Sequence, residues 1–107
     1  MNDDSLAKLT KRLDRFATER DWEQFHTPKN LAMALSVEAA ELLEHFQWLT
    51  AEESAELSAE KKGEVQDELG DLLIYAVRLA DRLNIDIVEA AHRKHDKNKD
   101  KYPADKV

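Results

Sequence analysis

The stretch LAMALSVEAAELLEHFQW, residues 31–48, decides the fold. Apolar residues recur in it at steps of three and four, which predicts a helix with an apolar stripe. The stripe is formed by Leu31, Ala34, Leu35, Leu42 and Leu49. Glu38 and Glu41 lie on that same stripe, one turn apart. Burying an unpaired carboxylate between helices is unfavourable, so this pair indicates something other than plain packing.

Another long helix, later in the chain, repeats this arrangement. Ser58 is its predicted N-cap, and the helix is expected to run to about Asn84. Its predicted inner face includes Val65, Leu69, Leu72, Ala76, Leu79 and Leu83. Glu68 lies on this face, and Asp71 lies one turn further on, at its edge. Two helices therefore each present two acids at positions i and i+3, which project from one side of a helix.

Four carboxylates that meet between helices need protonation, pairing with Lys or Arg, or a divalent cation. Local pairing is poor, because Lys29 is the only Lys or Arg between Pro28 and Trp48. Oxygen ligands in a chain without cysteine favour Mg²⁺, with Mn²⁺ as a substitute. A single Glu-x-x-Glu is usually a solvated face. A di-iron bundle needs two Glu-x-x-His motifs on its helices, whereas here Glu89-x-x-His92 lies on a predicted helix and Glu23-x-x-His26 lies in the segment RDWEQFH, which breaks the helical pattern. Two matched acid pairs make a magnesium site the favoured interpretation.

The charge balance bears on the class of partner. The chain has 16 Lys and Arg against 23 Asp and Glu, a formal net charge of −7, which argues against general binding of nucleic-acid polymers. The basic segment HRKHDKNKDK, residues 92–101, is either a solvated terminal helix or a site for a small polyanion. The sequence has no apolar run of membrane-spanning length, no signal-peptide pattern and no cysteine. We therefore expect a cytoplasmic protein without membrane attachment.

The whole chain is predicted to be all-α, because Gly and Pro are few and Ala, Leu, Glu and Lys dominate. The first helix is expected over about residues 4–20, Thr27 caps the second, Thr50 begins a short helical turn, and Asp86 opens the last helix. Four long helices with short connections predict a four-helix bundle in a single domain, residues 1–107. A second apolar stripe on helix two is formed by Met33, Val37, Ala40 and Trp48. This surplus apolar surface predicts that an oligomer completes the bundle.

The pattern Glu-x-x-Glu, then Glu-x-x-Asp, resembles the MazG-like all-α nucleoside triphosphate pyrophosphohydrolases. The match is closest to the small single-domain dCTP pyrophosphatase branch of that family. It covers nearly the whole chain, through RFATERDWEQFHTPKNLAMALSVEAAELLEHFQW and ELGDLLIYAVRLADRLNIDIVEAAHRKHDKNKDKYP. The resemblance implies hydrolysis of a nucleoside triphosphate to the monophosphate and pyrophosphate. It also implies a homodimer or homotetramer whose sites are built from more than one chain.

The resemblance assigns roles to the acids. The implied Mg²⁺ ligands are Glu38, Glu41, Glu68 and Asp71. Our mechanistic hypothesis is that water attacks the α-phosphorus, that Glu38 or Glu41 takes its proton, and that Lys94 assists the leaving pyrophosphate. This sequence departs from some relatives at Val37, where they carry a further Glu. The departure leaves open the number of metal ions and the identity of the general base.

The candidates for substrate binding fall into three groups. They are Trp22 and Trp48 for the base, Lys94, Asn98 and Tyr102 on one face of the last helix for the nucleotide and its phosphates, and His26 and Asn30 near the start of helix two. Either tryptophan could instead belong to the core, and the last-helix group could be an exposed polar stripe. The base, dCTP or a modified dCTP, rests on the resemblance alone, and removing unwanted nucleotides from the pool is the implied role. The alternatives are a pyrophosphohydrolase for dUTP or phosphoribosyl-ATP, or a non-catalytic helical oligomerisation module.

Overall fold

A computed structural model describes residues 5–104, and this range contains helices and no strands. The helices are α1 (Leu6–Glu19), α2 (Pro28–Glu44), α3 (Ala51–Ser54), α4 (Ala59–Arg82) and α5 (Ile87–Lys101). The four long helices are those expected from the sequence, and α3 is the short helical turn expected after Thr50. The all-α prediction is therefore confirmed.

The helices begin where short polar side chains can accept a backbone hydrogen bond. The caps are Ser5, Thr27, Thr50, Ser58 and Asp86, and each accepts from the backbone N–H three residues later. At Thr50 the bond is reciprocal, because the Glu53 carboxylate accepts from the Thr50 N–H at 2.9 Å. Since each such cap stabilises a helix start by about 1 kcal/mol, the positions of the helices are largely fixed locally.

The end of α2 was predicted less well than its start. The apolar pattern predicts a helix that continues to about Trp48, whereas α2 ends at Glu44 and turns follow through Trp48. The last residues of the apolar pattern consequently leave the helix axis. Trp48 is 86% exposed, so it does not belong to the core of this chain.

Helix α4 is the centre of the packing. Helix α2 lies along it, and α1 packs against it as well. Within residues 5–104 the buried apolar side chains are Ala17, Leu31, Val77 and Ala80, contributed by α1, α2 and α4. Leu69 and Leu83, predicted to face inward from α4, are 53% and 48% exposed. This part of the prediction was wrong, because the helices within residues 5–104 leave these two side chains uncovered.

The single chain is more open than a typical domain of its length. Its radius of gyration is 16.9 Å, whereas a compact domain of this length has about 13 Å. Its accessible surface is 8587 Å², about 2,500 Å² more than a folded monomer of this mass is expected to expose. Much of the surplus is apolar side chains on α2 and α4: Met33, Val37, Leu43, Leu69 and Leu73. Completion of the bundle by a second copy remains a prediction.

No helix in residues 5–104 is both long and apolar enough to cross a membrane.

Candidate active site

Three of the four predicted acids converge where α2 packs on α4. One carboxylate oxygen each from Glu38, Glu41 and Glu68 lies within 4.8 Å of the others. The i, i+3 spacing on α2 places its two acids on the side that faces α4, and Glu68 meets them from the opposite helix. The convergence expected from the sequence is therefore present for these three residues.

Glu68 is the least solvated member of this acid cluster. It is 9% exposed, and its Oε2 atom has no hydrogen-bond partner among residues 5–104. Hydrogen bonding with Glu38, then burial, then the charges of Glu38 and Glu41 raise the pKa of Glu68 from its usual 4.5 to about 7. The ion pairs found within residues 5–104 leave the three acids without a Lys, Arg or His partner.

This electrostatic arrangement fits a hard divalent cation. A buried carboxylate oxygen without a partner is costly, and a cation would supply the missing interaction. The donor set consists of carboxylate oxygens with no nitrogen or sulfur, which suits Mg²⁺ or Mn²⁺ better than softer metals. The acid cluster is thus a candidate metal-binding site.

Asp71, the fourth predicted acid, lies one turn beyond Glu68 and is exposed. It is not among the three acids whose oxygens lie within 4.8 Å of one another. It instead lines a cavity of about 370 Å³ whose lining does not include the other three acids. Asp71 is therefore the one of the four predicted acids that lines this cavity, and its role as a metal ligand remains a prediction.

The cavity lies between α1, the loop that follows it, and α4. The α1 wall is formed by Leu9, Arg12, Leu13, Phe16 and Ala17, and the α4 wall by Asp71, Ile74, Tyr75 and Arg78. Its volume falls in the range of small-molecule sites, about 300–1,000 Å³, and its walls are mostly apolar and aromatic. The cavity can therefore hold a small flat group.

Trp22 reaches this cavity because of how α1 ends. Asp21 adopts a left-handed conformation with φ of 57°, and the Trp22 N–H donates to the Ala17 carbonyl at 2.9 Å. This is the Schellman arrangement of a helix C-terminus, and it turns the chain back over the helix. The Trp22 ring then packs edge-on against Phe16, with ring centroids 5.4 Å apart. His26 follows one further turn along, its ring centroid 6.0 Å from that of Trp22.

The other predicted substrate contacts lie elsewhere in the single chain. The Asn30 side-chain amide donates to the Phe25 carbonyl at 3.0 Å, and Trp48 projects into solvent. Lys94 lines a separate cavity whose lining residues all fall within 84–97 and include none of the four acids. Asn98 is half-buried, and Tyr102 is 68% exposed at the end of α5. One chain thus brings Trp22 and His26 together with Asp71 at the cavity, and the other three acids together in the cluster, but it does not bring the candidates on α5 to either.

Sequence reasoning missed Arg78, which is only 2% exposed. Its Nη1 atom lies 3.3 Å from an Asp14 oxygen and 3.6 Å from an Asp81 oxygen, and its Nε donates to His26 Nδ1 at 3.4 Å. Its spacing could have indicated a role at the site, because Arg78 lies seven residues after Asp71 and both therefore lie on one face of α4. Burial of the guanidinium itself depends on α1 and the loop, and no local pattern indicates that.

The fold and the site define an all-α protein with a candidate metal centre made by acids from two packed helices. The chain belongs to the MazG-like family, whose family model matches residues 33–107. It is 48% identical over 102 residues to dCTP pyrophosphatase 1 of Homo sapiens, covering 94% of this chain and 60% of that protein. It is 46% identical over 101 residues to the Mus musculus protein of the same name, covering 92% and 59% respectively.

The chain spans about 60% of the length of these curated relatives. A solved structure, that of a pyrophosphatase from Archaeoglobus fulgidus, is similar over more of its own length. It aligns with a TM-score of 0.87 and 45% identity, and covers 92% of both chains. The described helices are therefore those of a known pyrophosphatase fold.

Proposed function

We propose that this protein is a Mg²⁺-dependent nucleoside triphosphate pyrophosphohydrolase. It converts a deoxynucleoside triphosphate, dCTP or a modified dCTP, to the monophosphate and pyrophosphate. The observation that carries the proposal is the buried Glu68 oxygen without a partner, facing two further acids, in a chain of the MazG-like family. The names of the curated relatives support dCTP as the substrate.

The acids are proposed to hold the cation. Glu38, Glu41 and Glu68 provide the convergent oxygens, and Asp71 joins them when a nucleotide occupies the neighbouring cavity. Bound Mg²⁺, for which Mn²⁺ can substitute, supplies positive charge for phosphate oxygens and increases the acidity of water. Glu38 or Glu41 accepts the proton of the water that attacks the α-phosphorus. Both remain candidates, since each lies at the cluster and neither is as buried as Glu68.

The cavity is proposed to take the base. Trp22 is held edge-on by Phe16 and stays 40% exposed, so it has ring surface left for stacking. His26 lines the same cavity and offers a polar group toward the base edge. Asp71 lines the cavity and lies one helical turn from Glu68. A base bound in the cavity would therefore have its triphosphate directed along α4 toward the acid cluster.

The remaining candidates are proposed to come from a second copy of the chain. Trp48 and Tyr102 are strongly exposed, and Lys94 and Asn98 lie on a helix that packs little against the rest of the chain. A homodimer or homotetramer would cover the surplus apolar surface on α2 and α4 and bring these residues to a partner's site. Lys94 would then neutralise phosphate charge. We further propose that residues 1–107 form one domain and act in the cytoplasm, where they would remove unwanted nucleotides from the pool.

A substrate panel tests the proposal. The purified protein is incubated with each common dNTP and NTP and with 5-methyl-dCTP, in Mg²⁺ and in EDTA, and the products are separated. The expected result is Mg²⁺-dependent formation of monophosphate and pyrophosphate, with a cytosine nucleotide preferred. A uracil nucleotide as the best substrate would contradict the choice of base. Absence of turnover with every nucleotide would favour a non-catalytic helical module.

A further inference from the structure

The Arg78 guanidinium lines the cavity and is held at Nη1 and Nε, while its Nη2 is buried and has no hydrogen-bond partner among residues 5–104. Asp14 of α1 and Asp81 of α4 lie against Nη1, and Nε is directed at the ring of His26. Such a buried, fully charged group has only donors to offer, and it holds its planar geometry better than a lysine would. Arg78 therefore constrains whatever atom it meets to be an acceptor.

The acceptor opposite the Arg78 Nε–H is His26 Nδ1, 3.4 Å from Nε. Since Nδ1 must accept, the neutral ring carries its proton on Nε2. Burial, then the charges of Arg78 and Arg82, lower the pKa of His26, which is consistent with a neutral ring. The backbone N–H of His26 donates to the Trp22 carbonyl at 3.1 Å, and this bond holds the backbone from which the ring projects. A neutral histidine in this state presents a single N–H donor.

A donor of this kind distinguishes pyrimidine bases by their N3 atom. Cytosine N3 is an acceptor, whereas N3 of uracil and thymine carries a hydrogen and is a donor. An Nε2–H group facing N3 forms a hydrogen bond with cytosine and leaves two opposed donors with uracil. Leaving a buried donor unpaired costs about 1–3 kcal/mol, which is enough to set a preference.

We propose that Arg78 is a positioning residue that holds His26 as an Nε2–H donor, and that this donor selects cytosine over uracil and thymine. The inference rests on the proposed function, since it takes the cavity as the base site. It adds a physical origin for the base preference, and it assigns to Arg78 a role in selectivity rather than in folding alone.

The tautomer can be measured without turnover. In uniformly ¹⁵N-labelled protein at neutral pH, long-range ¹⁵N–¹H correlation spectra distinguish protonated from unprotonated ring nitrogens. The expected spectrum has the His26 proton on Nε2 and a bare Nδ1. A proton on Nδ1, or on both nitrogens, would overturn the proposal.

Selectivity is measured as the ratio of kcat/KM for dCTP to that for dUTP. Arg78→Lys keeps the charge but loses the planar donor to His26, and the ratio is expected to fall about tenfold. Arg82→Gln is the matched control, because it removes a nearby charge that makes no hydrogen bond to His26. Its ratio should stay at the wild-type value. A wild-type ratio in Arg78→Lys, even with slower turnover, would show a merely structural role.

If Arg78→Lys does not fold, His26→Gln tests the role of the histidine instead, because it leaves the ion pairs of Arg78 with Asp14 and Asp81 in place. A glutamine amide can donate or accept, so the ratio should again fall about tenfold, and an unchanged ratio would refute the role of His26. If no nucleotide is hydrolysed at all, the proposed function fails separately. The role of His26 is then tested by adding dCMP or dUMP to the labelled protein. A larger change in the chemical shift of His26 Nε2 with dCMP than with dUMP supports the proposal, and equal changes or none refute it.

Discussion

Replacing Glu68 with glutamine should abolish metal binding and turnover while leaving the fold intact. Glutamine has nearly the same shape, but it removes the charge of the most buried acid in the cluster and puts an amide where a ligand oxygen is needed. Removing groups that merely support metal ligands already costs about 10–100-fold in affinity or activity. Loss of a ligand itself is therefore expected to lower kcat/KM by about 100-fold or more.

The pKa of Glu68, about 7, makes cation affinity depend on pH. About a tenth of the metal-free protein has this carboxylate ionised at pH 6, and about nine tenths has it ionised at pH 8. Because the proton and the cation compete for it, the apparent Kd for Mn²⁺ should rise about tenfold from pH 8 to pH 6. Titration of Mn²⁺ followed by electron paramagnetic resonance measures this directly.

The same shift predicts how the stability of the metal-free protein changes with pH. The pKa of Glu68 is higher in the folded chain, about 7, than its ordinary value of 4.5. Its contribution to stability is therefore fully present below pH 4.5 and is lost as the pH rises through 7. Glu68→Gln cannot ionise, so metal-free Glu68→Gln should unfold at a higher temperature than the metal-free wild type at pH 8. Saturating Mn²⁺ should stabilise only the wild type.

Glu64→Gln provides the matched control. Glu64 lies one turn before Glu68 on the same helix, but it is largely exposed and pairs with Lys61 at 3.1 Å. It should keep wild-type Mn²⁺ affinity, pH dependence and turnover. Equal Mn²⁺ binding by the wild type and Glu68→Gln, or the same tenfold pH dependence in both, would refute the reasoning.

Three further changes test other parts of the account. Trp22→Ala should raise KM for dCTP about tenfold or more by removing a stacking surface. Phe25→Ala, which changes a residue outside the cavity, should leave KM unchanged, and steady-state kinetics measure both values. Gly63→Ala should raise the free energy of unfolding by about 1 kcal/mol in urea titrations, since the added Cβ would meet open space on a helix. A loss of stability would mean that another chain approaches this position. Met33→Lys should shift sedimentation toward the monomer, since the side chain is 51% exposed on the apolar face. A monomeric wild type would contradict the oligomer.

The parts of the fold that were predictable depend on local chemistry. Thr27 and Ser58 cap their helices through their own side chains, so their positions could be read directly from the sequence. The i, i+3 acids likewise converge because helix geometry fixes which side they occupy. The position of Asp71 relative to the other acids depends on how α2 sits on α4, and helical spacing alone does not determine that.

The parts that were missed depend on contacts distant in sequence. Arg78 is buried by Asp14 and His26, which lie 64 and 52 positions away. An arginine on a helix is ordinarily expected to be exposed, so no local pattern predicts that it helps to shape the cavity. Trp22 was identified, but its placement depends on the left-handed Asp21, which is a residue type that tolerates this conformation without requiring it.

Hydrolysis in ¹⁸O-labelled water tests the central claim most directly. The protein is incubated with dCTP and Mg²⁺, and the products of a single turnover are analysed by mass spectrometry. Water attack on the α-phosphorus predicts one ¹⁸O atom in dCMP, none in pyrophosphate, and no product in EDTA or with Glu68→Gln. Label in pyrophosphate or in orthophosphate, or turnover that persists without the cation, would contradict the account.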